Sequence, residues 1–314
     1  MKKKIVLHTI GFIAVVFLVL LIFEKTLSFF VSKSTDSQTG KVNLVLGHNV
    51  DPEVAIFGSS VAEVGFDANF LAENLNASVY NLAIDGTPIL KSEFLIEEFV
   101  NYSENCKSIV IGLAFFSFSE QKGIVEPSRY IAHKSNRFLK DNIRKVAPDL
   151  YKKLYYRPFY SIVLSDKTYY KNAMLGLKSL MAGQSNADPL KGFVPHYETY
   201  NDTDFQDGYH EIGINEDSYA ALKNIIQNIQ NNDIEVSLVV LPMFIEGQNK
   251  LSNYKEYIEI IIKLSKETNC RLFDFSNHQI THDNSNYYNN GHLNKNGARK
   301  FTESFYNEFS KLND

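Results

Sequence analysis

Residues 54–66 read VAIFGSSVAEVGF, a short apolar run that stops at a glycine and continues into a helical pattern. Buried parallel strands have this composition, and a glycine with small polar residues is typical of a strand-to-helix turn. Gly58 lets the backbone bend, so Ser59 and Ser60 are expected at the carboxyl edge of a sheet. Open α/β sheets bind ligands at that edge, which makes this turn the first candidate site.

Five short runs rich in β-branched or aromatic residues alternate with helical patterns along the chain. They are 53–57, 78–82, 108–113, 235–241 and 271–275. This alternation indicates a mainly parallel sheet with helices on both faces. We therefore predict a three-layer α/β/α, flavodoxin-like domain with five parallel strands. Helices are expected to open at Asp67, at Thr87 with Pro88, and after Asn294.

The N-terminal segment is apolar. Residues 5–23 contain no charged side chain and are long enough to cross a hydrocarbon core of roughly 30 Å. Three lysines precede them, and the positive-inside rule then leaves the N-terminus in the cytoplasm. A cleaved signal peptide is the alternative, but the run is long and no small-x-small site follows. We predict a membrane anchor over 1–32, a polar tether over 33–44, and a domain over 45–314 outside the cytoplasm.

Residues 117–215 interrupt the alternation and are too many for an ordinary connection, so they are predicted as a large, mostly helical insertion after strand 3. Between Ser128 and Asn172 lie eleven Lys or Arg, three Asp and seven Tyr. Such a surface fits anionic lipid headgroups or a sugar polymer. Equally, it fits a solvated helical cap whose tyrosines pack on the main domain.

The composition of the chain limits the classes of binding partner that are expected. The formal net charge of −4 argues against a general nucleic-acid binder and leaves carbohydrate or small-molecule partners. Cys106 and Cys270 each precede a predicted strand, and the expected strand order places another strand between them. Their Cα atoms should therefore lie too far apart for a disulfide.

One segment near the C-terminus contains candidate metal ligands. His278, His282, Asp283 and His292 have a ligand-like composition. The segment has no helical apolar stripe that would align them, so no metal is expected. Nothing in the sequence indicates another cofactor.

Two further motifs are expected at the same sheet edge as Ser60. Gly86 follows the second strand, where it either offers a backbone N–H or serves a turn with positive φ. His292 stands just before the last helix, where it can face Ser60 as a general base. The Ser60 N–H, at a helix start, can stabilise an oxyanion, although a serine there is commonly only an N-cap.

Together these motifs resemble the SGNH, or GDSL-like, hydrolase superfamily, particularly its membrane-anchored members in polysaccharide and teichoic-acid modification. In that pattern Ser60 is the nucleophile, Ser59 replaces an Asp, and Gly86 is the second-block glycine. The Asp-x-x-His block matches Asn289 to His292, continued by Leu293, Asn294 and Gly297. The resemblance implies an extracytoplasmic serine esterase or O-acyltransferase acting on cell-surface polysaccharide, with Ser60 as nucleophile, His292 as base, and Ser60 and Gly86 as oxyanion donors.

The chain departs from the family pattern twice. Asn289 replaces the acid before the histidine, so either Asn289 orients the ring, as in Cys-His-Asn enzymes, or Asp283 folds back to do so. The Gly-x-Asn-Asp block reads Gly112-Leu113-Ala114-Phe115, which lacks the side-chain oxyanion donor. The rival hypothesis is therefore a non-catalytic binding or assembly component of surface polysaccharide biosynthesis. The expected partner is a cell-surface glycan or an acylated small molecule.

Overall fold

A computed structural model describes residues 2–35, 37–119, 123–124, 126–182, 188–201 and 209–312. The chain divides into two compact units. The first unit comprises Met1–Asn43 and Glu126–Asn186, and the second comprises Leu44–Val125 and Ala187–Asp314.

The strands are β1 Val54–Gly58, β2 Val79–Asn81, β3 Ser108–Leu113, β4 Glu235–Val240 and β5 Arg271–Asp274. The helices are α1 Lys2–Val31, α2 Ser37–Leu46, α3 Ser60–Gly65, α4 Ala68–Leu75, α5 Ile89–Tyr102, α6 Arg137–Val146, α7 Pro148–Tyr156, α8 Tyr160–Leu164, α9 Lys167–Ala182, α10 Glu216–Asn231, α11 Ile245–Asn249, α12 Tyr254–Thr268 and α13 Lys295–Phe309.

The second unit is built on a parallel five-stranded sheet in the order β2-β1-β3-β4-β5. This confirms the predicted α/β fold, because parallel strands joined by helical crossovers need helices on both faces. The register pairs Gly58 with Gly112 at the carboxyl end of the central strands. Cys106 and Cys270 precede β3 and β5, with β4 between these two strands, and both are free thiols.

Apolar side chains at strand and helix spacing form the core of this unit. Every residue of β1 and β3 is buried, as expected of central parallel strands. The α13 stripe packs on α3 through edge-to-face rings, with Phe66 at 5.0 Å from Phe301 and 5.3 Å from Phe305. Burying these rings holds α3, and with it the turn after β1, against the sheet.

Two of the predicted helix starts are confirmed and one is wrong. The Asp67 carboxylate accepts from the Phe70 N–H at 3.1 Å, and the Asn294 side chain accepts from the Gly297 N–H at 3.0 Å. Thr87 does not cap α5, which begins after Pro88. Its hydroxyl donates instead to the Ile84 carbonyl, because the turn after β2 brings that acceptor closer.

The first unit consists of α1, the start of α2, and the insertion helices α6 to α9. Helix α1 is long and apolar enough to cross a membrane, and residues 5–22 are exposed along its surface. Its C-terminal part packs on α9, where a Cβ at Gly176 would lie 1.8 Å from the Phe30 carbonyl oxygen. Only glycine permits this approach of the two helices.

Polar contacts join α1 to the insertion. The Glu24 carboxylate pairs with Lys134 and accepts from the Ser161 hydroxyl. The Ser28 and Tyr169 hydroxyls share a hydrogen bond of 3.1 Å. These partners lie more than a hundred residues apart in the chain, so the packing is tertiary.

The segment 33–44 differs from the predicted irregular tether. Helix α2 begins at Ser37, and Thr39 and Asn43 are buried. The Asn43 amide donates to the Val31 and Ser34 carbonyls at 2.7 and 2.9 Å, and the Asn172 amide donates to Thr39 Oγ1 at 2.9 Å. The polar composition suggested a tether because the residues that satisfy these groups are remote in sequence. Residues 120–122, 125, 183–187 and 202–208 of the predicted insertion lie outside the described residues.

Candidate active site

The turn after β1 is set by close backbone packing. Gly58 has φ +151°, and a Cβ there would lie 2.6 Å from Ala62 Cβ and 2.7 Å from the Gly112 carbonyl oxygen. No other residue fits this conformation and this space. The turn therefore starts α3 directly at Ser60, at the carboxyl edge of the sheet.

The two serines of this turn have different environments. Ser59 is 2% exposed and occupies the N-cap position of α3 without capping it, and its hydroxyl has no hydrogen-bond partner among the described residues. Ser60 is half-buried and its side chain faces the loop that carries His292. Of the two, only Ser60 is oriented toward a proton acceptor.

Ser60 Oγ lies 2.8 Å from His292 Nε2. The two residues are 232 positions apart, so the sheet edge, not local sequence, brings them together. This distance is within hydrogen-bond range and is the spacing that a nucleophile and its general base require.

Asn289 orients the imidazole. Its Oδ1 accepts from the backbone N–H groups of Gly291 and His292 at 3.1 and 2.8 Å and lies 3.0 Å from His292 Nδ1. The two backbone donors require an oxygen at this position, so the third contact is a donation from Nδ1–H. Nε2 is then unprotonated and accepts the Ser60 hydroxyl proton. Asn289 is 7% exposed, which shields these bonds from water.

The loop that presents Asn289 and His292 is itself held at both ends. Tyr287 and Leu293 form an antiparallel bridge. The Asn294 amide donates to the Ser285 and Tyr287 carbonyls at 2.8 and 3.1 Å while its oxygen caps α13. Asn294 thus couples the geometry of the His292 loop to the start of the last helix.

Asp283, the substitute acid considered above, lies elsewhere. Its carboxylate accepts from the Ser285 N–H at 3.0 Å and caps a short 3-10 turn over Asn284–Asn286. Hydrogen bonds from Ser285 lower its pKa. Asn289 occupies the position beside His292 Nδ1 instead. Among the described residues, no group of three His, Cys, Asp or Glu side chains is arranged to hold a metal.

On the β2 side, Gly86 lies in a turn with φ +71°. The approach to this turn is fixed by the Ile84 N–H, which donates to the Gly58 carbonyl at 3.0 Å. Asn81, which sequence reasoning did not single out, is fully buried and donates to the Ala62 and Phe66 carbonyls at 2.9 and 3.1 Å. It ties the end of β2 to the end of α3. A buried Asn at a strand end is the signal that could have identified it.

On the β3 side, the loop begins with Ala114, Phe115 and Phe116, which have no polar side chain. The Ala114 N–H donates to Ser117 Oγ at 2.9 Å, and the Tyr257 hydroxyl donates to the Ala114 carbonyl at 2.5 Å. Burial raises the pKa of Tyr257 well above its ordinary value, so it remains a neutral donor. The backbone at Ala114 is therefore held by neighbours, and its side chain is a methyl group that cannot donate a hydrogen bond.

A narrow apolar cleft borders the serine and the histidine. Its walls include Val61 and Gly291, the neighbours of Ser60 and His292, and it extends between the loops after β3 and β4. The remaining residues that line it are Leu113, Ala114, Phe115, Val240, Leu241, Pro242, Met243, Tyr254 and Tyr257. The cavity volume of this cleft is about 10 Å³, which is room for a single water-sized group.

A row of stacked rings extends from His292 on its other side. The Tyr288 ring stacks on His292 with centroids 5.3 Å apart, and His196 stacks on Tyr288 at 4.2 Å. The neighbouring Tyr197 is 75% exposed. The three stacked rings are half-buried, so Tyr197 is the exposed ring beside this row.

No protein-family model and no curated protein match this chain. Solved structures do match. A family two carbohydrate esterase from Clostridium thermocellum in complex with cellohexaose is 13% identical with a TM-score of 0.42, over 84% of this chain and 66% of that chain. A GDSL-like lipase from Bacteroides thetaiotaomicron is 7% identical with a TM-score of 0.42, over 88% and 99%. A psychrotrophic esterase from Pseudoalteromonas sp. is 10% identical with a TM-score of 0.40, over 83% and 100%. These similar structures are GDSL-like lipases and esterases.

Proposed function

We propose that this chain is a membrane-anchored, extracytoplasmic serine esterase or O-acyltransferase that acts on cell-surface polysaccharide. One observation carries the proposal: Ser60, His292 and Asn289 form a hydrogen-bonded row at the carboxyl edge of the sheet. A nucleophile, a base and a group that orients the base are the elements of acyl transfer through a serine.

In this mechanism Ser60 Oγ attacks the acyl carbonyl carbon while His292 Nε2 takes the hydroxyl proton. The carbonyl oxygen gains the negative charge and is stabilised by the N–H groups of Ser60 and Gly86. His292 returns the proton to the departing sugar oxygen as its ester bond breaks, leaving an acyl-serine. Water or a second hydroxyl then attacks that ester, and the two resolving nucleophiles give hydrolysis or transfer respectively.

Two features make this a slow version of the chemistry. Asn289 fixes the ring but is neutral, so it offers no charge to the imidazolium that forms. Ala114 cannot donate to the oxyanion, and a missing donor typically costs about 10² to 10³ in rate. Turnover is therefore expected to lie well below that of an enzyme with the complete set.

The shape of the site favours a short acyl group and a sugar acceptor. The narrow cleft beside Val61 and Gly291 would favour a small acyl group such as acetyl. The ring row of His292, Tyr288 and His196 offers a stacking surface for a sugar leaving group. An acetylated glycan fits both features.

Contacts within the first unit support an uncleaved anchor. Glu24 and Ser28 of α1 bind Lys134, Ser161 and Tyr169 of the insertion. Removal of α1 as a signal peptide would leave these polar groups without their partners. Three lysines before the apolar run favour a cytoplasmic N-terminus, and so an extracytoplasmic domain.

The second candidate is a non-catalytic glycan-binding or assembly component. Ala114 and the neutral Asn289 favour it, because both are losses relative to the family pattern. It differs from the enzyme in a single measurable respect, which is whether Ser60 is activated.

Labelling with a fluorophosphonate tests that activation, using the full chain in detergent because α1 and α2 pack with the insertion. We expect wild type and Ser59→Ala to label, since the Ser59 hydroxyl is buried away from His292. We expect Ser60→Ala and His292→Ala to lose labelling by about 10³-fold or more. A folded wild-type chain that does not label, or that labels equally in Ser60→Ala, would favour the binding role.

A further inference from the structure

Helix α9 exposes a continuous apolar stripe. Its members recur at intervals of four, three and four residues and so lie on one face of the helix. They are Tyr170, Met174, Leu177 and Met181, with 41%, 73%, 41% and 81% of their surface exposed. Large exposed apolar patches mark a surface that something covers.

Three polar or small positions show how this stripe is oriented within the first unit. Tyr169, Asn172 and Gly176 form the buried face of α9, which contacts residues 28–34 and Thr39. The apolar stripe lies beside that face, and three exposed lysines come next around the helix, namely Lys167, Lys171 and Lys178. An apolar stripe bordered by lysines is typical of a helix that lies in a membrane interface.

The position of α9 along α1 fits that depth. Gly176 meets the backbone at Phe30, seven residues beyond the end of the apolar run at Phe23. Seven residues of helix rise about 10 Å, which corresponds to the headgroup region when residues 5–23 span the hydrocarbon core.

A second contact reaches deeper. The Phe159 ring, in the turn before α8, lies 4.8 Å from the ring of Phe17 at an interplanar angle of 65°. Phe17 is six residues inside the apolar run, about 9 Å along the helix axis. Nearby in sequence, Tyr156 and Val163 are each 73% exposed. A solvated cap would place the Phe159 turn in water, whereas its contact with Phe17 places this turn beside the apolar run.

We propose that the insertion is a second membrane-binding element, in which α9 lies in the headgroup region and the Phe159 turn enters the outer part of the acyl layer. This inference rests on the proposed anchoring by α1. The occupant is the lipid bilayer, because the exposed stripe continues the exposed apolar surface of α1, and the three lysines select anionic headgroups. A partner protein outside the membrane would not explain why the insertion contacts Phe17, which lies within the apolar run of α1.

The chain contains no tryptophan, so a single introduced Trp reports its own environment. Full-length Met174→Trp and Met181→Trp would be reconstituted in vesicles of phosphatidylcholine and phosphatidylglycerol, with plain or brominated acyl chains. Phe12→Trp, in α1, is the reference for the anchor. Tyr209→Trp, at a position 84% exposed in the second unit, is the reference for an aqueous site.

We expect the two α9 probes to emit at shorter wavelength than the Tyr209 probe and to lose emission in brominated vesicles, less than the Phe12 probe does. Quenching should weaken when phosphatidylglycerol is omitted. Quenching no greater than that of the Tyr209 probe would overturn the inference. A blue shift without bromine quenching would also overturn it, since the stripe would then be covered by protein. Loss of quenching at Phe12 as well would instead refute the anchor itself.

Discussion

The turns after β1 and β3 begin at paired glycines and carry different side chains. Gly58 and Gly112 are paired in register, and a Cβ at either would meet the Ala62 methyl, at 2.6 and 2.7 Å. After β1 the chain presents Ser60 to a base, whereas after β3 it presents the methyl of Ala114. The close packing at the glycine is thus shared by both strands, while a hydroxyl that contacts a histidine is found after β1. Packing and catalysis place separate demands on these loops.

The largest effect is expected at Asn289, which orients the histidine that contacts Ser60. Asn289→Ala removes the acceptor that holds Nδ1–H and should lower kcat/KM for an aryl acetate by about 10³-fold. Asn289→Asp keeps the acceptor and adds charge, so kcat/KM should rise by about 10-fold or more. A carboxylate favours the protonated ring, so the acid limb of the pH profile should move to higher pH.

Asp283→Asn is the matched control for these variants, because the Asp283 carboxylate accepts a hydrogen bond from Ser285 in its own turn. It should leave both kcat/KM and the pH profile unchanged. A loss as large as that of Asn289→Ala would mean that Asp283 orients the histidine after all.

The shared scaffold is tested by Gly58→Ala. The variant places a methyl group against Ala62 and the Gly112 carbonyl in a conformation that favours glycine. The free energy of unfolding should fall by about 2 to 4 kcal/mol, measured by denaturant titration in detergent. Gly213→Ala is the control, since a Cβ at Gly213 would lie 3.8 Å from its nearest neighbours, the Cα and Cβ atoms of Ser119. Equal stability of the two variants would contradict the tight packing at β1.

The β3 side is tested by restoring the missing donor. Ala114→Asn should raise kcat by about 10- to 100-fold if its amide reaches the oxyanion. Ala114→Leu has similar bulk and no donor, so it separates hydrogen bonding from filling of the cleft. An equal response of the two variants would show that the β3 loop does not face the oxyanion.

The smallest effect concerns the acyl group. Lengthening an aryl ester from acetate to butanoate should lower kcat/KM by about 10-fold, because the cleft beside Val61 has room for one small group. Met243→Ala enlarges that cleft and should reduce the difference between the two esters. A preference for butanoate in the wild-type chain would place the acyl group elsewhere.

Much of the second unit could be predicted from the sequence. The runs that form β1, β3 and β4 were recognisable because central parallel strands are buried on both faces and are rich in β-branched residues. The strand ends differ from the predicted ones by at most one residue, and Thr87 proved not to be a cap. Local propensity indicates where an element occurs, whereas the hydrogen bonds at its ends depend on neighbours.

The candidate site was only partly predictable. Ser60, Gly86 and His292 were marked by their places at strand ends and before a helix. The choice between Asn289 and Asp283 was open, since both precede His292 by a few residues. The Tyr287 to Leu293 bridge decided it, because that bridge points Asn289 Oδ1 at the ring nitrogen.

By itself, the sequence determined the parallel sheet and the apolar N-terminal helix and marked Ser60 and His292 as candidate site residues, because each depends on periodicity or on short spacing. Only the tertiary structure decided that 37–46 is a helix, that Glu24 and Ser28 bind the insertion, and that α9 leaves an apolar stripe exposed. Those features depend on contacts between residues far apart in the chain. No local pattern of charge or hydropathy encodes which distant polar group will satisfy a given side chain.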